Sequence, residues 1–194
     1  MPETNIGTYH LADNPALYEV QRTNNFEFIV TDIDGILRAG AVGNEENARF
    51  NNAQEVLRCS VVSTSIPHFT QEEIAVQRGN TTLYYAGKPS FPDGQLVVND
   101  FIGADTKSVL MAWQALSYDV ATEKVGSLDV TNYKKDCYLV EYTPDYRKVR
   151  QWRLYGCWVK GLTEDQYNNE SSGKKTITAT IRYDRAQIDT SELA

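Results

Sequence analysis

The chain has 194 residues, of which 41% are hydrophobic and 23% charged, which suits one domain with a hydrophobic core and excludes wholesale disorder. A formal net charge of -7 argues against tight DNA or RNA binding through a basic footprint, and no apolar run approaches the ~20 residues of a membrane helix. Three cysteines (Cys59, Cys137, Cys157) with no CxxC pair indicate neither a disulfide framework nor a zinc site, and two distant histidines (His10, His68) do not make a metal site.

Residues 1–25 are polar and aperiodic, and read as an N-terminal arm that orders against a neighbour; no basic patch followed by an apolar stretch marks a signal peptide. The main domain is expected over 26–185. Phe26, Phe28 and Val30 alternate with polar residues and predict a strand. Residues 37–54, rich in Gly and Asn, predict a long surface loop. Strand character resumes over 56–63, with Leu57, Cys59 and Val61 of one parity, and Ile66-Pro67 ends it. Residues 72–78 and 81–85 flank Gly79-Asn80 and predict a tight hairpin, since both turn residues tolerate positive φ. Pro92-Asp93-Gly94 is a turn, and Leu96–Asn99 another strand.

One helix stands out over 106–118. Asp105 is its N-cap, and Val109, Trp113 and Leu116 form an apolar stripe. Residues 137–143 and 148–159 predict two strands joined by Thr143-Pro144-Asp145. The second is apolar on both faces, with a bulge predicted at Gly156. Residues 163–173 are a polar loop. In the last strand, Ile177, Ala179, Ile181 and Tyr183 alternate with threonines and Arg182, the pattern of an antiparallel sheet with one buried face. Residues 186–194 are expected to be a C-terminal tail. The fold class is therefore mainly β, an antiparallel sandwich or barrel with one packed α-helix and an extended arm and loop. The cysteines are read as small buried apolar residues.

One motif points to chemistry. Phe28-Ile29-Val30-Thr31-Asp32-Ile33-Asp34-Gly35 looks like the first motif of haloacid-dehalogenase-type phosphatases. That resemblance implies Asp32 as nucleophile and Asp34 as acid/base. Phosphoryl transfer needs such a pair close together. The alternating strands and helices and the late pair of acidic ligands that such enzymes use are missing; Val97-Val98-Asn99-Asp100 offers one carboxylate. The alternative is that Asp34-Gly35 is a strand exit. No catalytic, cofactor-binding or metal residue is assigned.

A second resemblance covers about two-thirds of the chain. It runs through Arg58-Cys59-Ser60-Val61 to Ile66-Pro67, Ile74-Ala75-Val76 and the Gly-turn hairpin. Leu96-Val97-Val98-Asn99-Asp100 follows, ahead of a helix ending Met111-Ala112-Trp113-Gln114. Tyr133-Lys134-Lys135, Leu154-Tyr155-Gly156-Cys157-Trp158 and the strand 176–183 complete it. In these features the chain resembles the tail-tube proteins of contractile-tailed bacteriophages, departing from them in its arm and near residues 35–55. The resemblance implies a structural virion protein without cofactor, made in the host cytoplasm. Hexameric rings would stack into a hollow tube through which a tape-measure protein and then DNA pass without specific binding. Sheath, baseplate and tail-terminator proteins would be partners, with no membrane insertion of the subunit. Tubes of type VI secretion and contractile injection systems share the architecture and are the alternative. The arm 1–25 and the loop 37–54 are expected to carry contacts between subunits.

Overall fold

The computed structural model of the chain describes residues 20–40, 51–103, 105–126, 128–170 and 172–189. Two antiparallel sheets share one long strand. The first contains β1 (Phe26–Val30), β8 (Lys135–Tyr142), the N-terminal half of β9 (Lys148–Glu164) and β11 (Arg185–Asp189). In the second, the C-terminal half of β9 pairs β10 (Thr176–Arg182), β10 pairs β5 (Gly94–Asn99), and β5 pairs β2 (Val61–Thr64).

The double-sided apolar pattern of residues 148–159 has a simple cause. Leu154 is buried before Gly156, and Cys157 and Val159 after it, so the inward parity changes at the glycine. Gly156 sits at φ +66, where the register between β8 and β9 shifts. The extra residue lets β9 leave one sheet and enter the other with its core side chains still inward. Two buried layers result, with Phe28, Val30, Leu139 and Leu154 facing Leu96, Val98, Val159, Ile177 and Ile181.

Three α-helices occur among the described residues, where the sequence predicted one: α1 (Ile33–Gly40), α2 (Ala53–Ser60) and α3 (Thr106–Ala115). The loop expected over 37–54 is corrected at both ends, because α1 reaches Gly40 and α2 starts at Ala53; its middle, 41–50, lies outside the described residues. The strand expected over 56–63 is likewise corrected to helix up to Ser60. Ala53, Leu57 and Ser60 are the buried positions, a spacing of four and three that a helix satisfies, whereas Cys59 is exposed. Cys137 and Cys157 are buried, as read from sequence. The tail expected over 186–194 is corrected over 186–189, which pairs with β9 as β11; 190–194 lie outside the described residues, as do 1–19 of the expected arm.

Asp105 caps α3 as predicted, accepting a hydrogen bond from the Ser108 amide at 3.3 Å. Val109, Leu110 and Trp113 bury that helix against β9 and α2, and the Trp113 indole donates to the Tyr133 carbonyl at 3.1 Å. The helix ends at Ala115, short of Tyr118, which opens a small hairpin of β6 (Tyr118–Asp119) and β7 (Lys124–Val125).

Candidate assembly surfaces

The strands β3 (Thr70–Arg78) and β4 (Thr81–Ser90) form the hairpin predicted around Gly79-Asn80, with Gly79 at φ +63. Every residue of β3 is exposed. Ile74 pairs with Tyr85 and Val76 with Leu83, so these four side chains share one face. The opposite face carries Glu73, Gln77 and Thr82, with Ala75, Tyr84 and Ala86 between them. An amphipathic ribbon thus stands away from the core with its apolar face half open; Ile74 is 53% and Tyr85 54% exposed. Such a two-stranded ribbon is marginal in water without something to pack against. Its base is anchored by the aromatic contacts of Phe69 with Phe91 and Phe91 with Tyr183, at 5.9 and 6.0 Å between ring centroids.

The second sheet has two open edges. Among the described residues β2 pairs only with β5, and β9 beyond Trp158 pairs only with β10. Unpaired edge strands offer rows of free N–H and C=O groups to another chain. The outward face of this sheet carries Ser63, Gln95, Val97, Thr163, Thr176, Thr178 and Thr180, a neutral and largely hydroxylated surface. Its hairpin-side end is held by Asp93, whose carboxylate accepts from Lys160 at 2.6 Å and Arg182 at 2.9 Å. The Lys160 bond first, and the Arg182 bond next, hold this carboxyl below the usual range. At the other end, Glu164 is lowered in the same way by Lys107 and then Lys175.

Beside the β9 edge lies a groove of about 570 Å³, whose walls include Met111 of α3, Tyr118, Val125 of β7 and Trp158. Nothing in the sequence pattern singles it out: β6 and β7 have two residues each, too short for a periodic signal. A second groove of about 640 Å³ separates the edges of β1 and β2 that are unpaired among the described residues.

The carboxylates of the phosphatase-like motif have structural partners. Asp32, at φ +51, starts α1 and takes an ion pair at 3.2 Å from Lys135, a largely buried lysine. Asp34 accepts the Gln54 amide at 2.8 Å and so ties the first turn of α1 to the start of α2. The motif stands at a strand exit and there joins two helices that flank residues 41–50. Among the described residues, no group of three or more His, Cys, Asp or Glu side chains could hold a metal ion.

Two antiparallel sheets sharing a bulged strand, helices packed against them and a projecting hairpin make this a tail-tube fold. The chain matches a chain of the sheath–tube complex of an extracellular contractile injection system, PVC, in its extended state. The TM-score is 0.62 with 14% identity, covering 90% of this chain and 94% of that one. It also matches a chain of the sheath/tube terminator of the same system, with TM-score 0.61, 15% identity and coverage of 89% and 98%. The tube-terminating cap of the anti-feeding prophage gives TM-score 0.61, 14% identity and coverage of 89% and 92%. No protein-family model and no curated protein matches the chain.

Proposed function

We propose that this chain is the self-assembling subunit of a hollow tube, a structural role without catalysis. The observation that carries the reading is the β3–β4 hairpin, which exposes an apolar face that none of the described residues covers. The open edges of β2 and β9 supply a second contact. In the second sheet, β5 and β9 run one way and β2 and β10 the other. A neighbour's β2 added beside β9 therefore continues the antiparallel alternation. This contact is head to tail, and it closes when the rotation per copy completes a ring. The neutral hydroxylated face of the sheet then lines the bore, where a polyanion meets no cation in the central rows to arrest it.

In the finer reading the rings are hexameric and stack into the tail tube of a contractile bacteriophage. Sheath and baseplate would surround it, a terminator would end it, and a tape-measure protein and then DNA would pass through. A tube of a contractile injection or type VI secretion system is the second reading, and the likeness to chains of contractile injection systems supports it equally. The phosphatase reading finds no support in the geometry, since Asp32 and Asp34 are engaged in holding α1 and α2.

The test is negative-stain microscopy of the purified chain over a wide concentration range. Rings of uniform diameter, and tubes at the upper end, are expected. A monodisperse monomer under every condition sinks the proposal.

A further inference from the structure

Among the described residues, two of the uncovered apolar surfaces are complementary in form. One is convex, the hairpin face of Ile74, Val76, Leu83 and Tyr85. The other is concave, the groove between α3 and β7. The sheet register relates them across a subunit contact. The hairpin leaves β2 after Thr64, whose partner Leu96 lies at the Gly94 end of β5. Ile181 pairs with both Gly94 and Val159, so that end of the sheet corresponds to Trp158–Val159 on the open edge of β9. A neighbour's β2 on that edge therefore delivers its hairpin beside Trp158, and Trp158 and Lys160 line the groove.

We infer that the apolar face of one copy's β3–β4 hairpin seats in the α3–β7 groove of the next copy. The inference rests on the self-assembly reading and names its acceptor. Met111, 51% exposed, and Val125, 82% exposed, supply an apolar floor and wall that have no other cover among the described residues.

A photo-reactive p-benzoylphenylalanine placed at Tyr85 tests this in rings built from a mixture of light and isotopically heavy copies. Cross-links joining heavy to light chains within residues 111–126 are expected. Cross-links that map instead to the β1–β2 groove, to another surface or only within one copy overturn the inference and leave self-assembly standing. Val125→Asp is the companion variant, at an exposed position where the fold has little to lose. It is expected to raise the concentration needed for assembly at least tenfold with an unchanged unfolding midpoint. Unaltered assembly of this variant also overturns the inference. If the parent chain forms no rings at all, the self-assembly reading fails and takes the inference with it.

Discussion

Gly156 shows how one residue can decide the architecture. Its φ of +66 is left-handed, and a Cβ there would run into the carboxylate of Asp184, itself held by Lys134. Gly156→Ala should cost about 1–3 kcal/mol, the range for backbone strain of this kind. The measurement is urea unfolding, and an unchanged midpoint would contradict the strain argument. The bulge at this glycine was legible in the sequence because it interrupts a run of apolar residues of both parities. Asp105 and Trp113 were also legible, since capping and helical spacing are local signals. The structural partners of Asp32 and Asp34 were not legible, for the opposite reason. A motif of four residues says nothing about Lys135 or the Gln54 amide, partners that only the folded chain brings close.

At the scale of the element, the hairpin can be perturbed separately from the core. A Cβ on Gly87 would lie 2.7 Å from the Glu72 carbonyl oxygen, where the register of β3 and β4 shifts. Gly87→Ala should distort the ribbon and suppress assembly while leaving the unfolding midpoint of the body nearly unchanged, because β3 contributes no buried side chain. Sedimentation and thermal melts on the same sample check both halves. The ion pairs at the two ends of the second sheet give a pH dependence. Asp93 and Glu164 have folded-state values below their ordinary 3.8 and 4.5, so their contribution is complete at neutral pH. It is lost as pH falls below about 4 and the carboxyls protonate. Asp93→Asn should flatten the fall of the urea midpoint between about pH 4.5 and 2.5; an unaltered slope would remove Asp93 from the account. Strands with a clean alternation, such as β10, were readable in the sequence. Helix α2 was not, because Leu57, Cys59 and Val61 also fit a period of two, and burial against β1 and α3 decided the matter. β11 escaped because its exposure is irregular and its one partner among the described residues is the distant β9.

For the whole molecule, assembly through an apolar hairpin face sets a characteristic temperature response. Full burial of a large apolar side chain is worth about 1.5–3 kcal/mol, so covering four half-exposed ones contributes a few kcal/mol at each contact. That contribution weakens on cooling and strengthens in sulfate. Light scattering should therefore show a higher threshold concentration for assembly at about 4 °C than at about 25 °C, lowered again by ammonium sulfate. A threshold indifferent to temperature would assign the contact to the strand edges and not to the hairpin. The sequence could not display this level of organisation: periodicity reports which side chains face inward, and says little about which exposed apolar face will be covered by another copy.

The passage of β9 from one sheet into the other has a mechanical consequence. A single covalent backbone of 17 residues, hydrogen-bonded to β8 and β11 in one half and to β10 in the other, joins the two layers. Tension applied to one layer reaches the other through that backbone, and the layers cannot slide apart without stripping several hydrogen bonds in parallel. If copies assemble into a column as proposed, pull on one layer would thus pass to the other along a continuous strand.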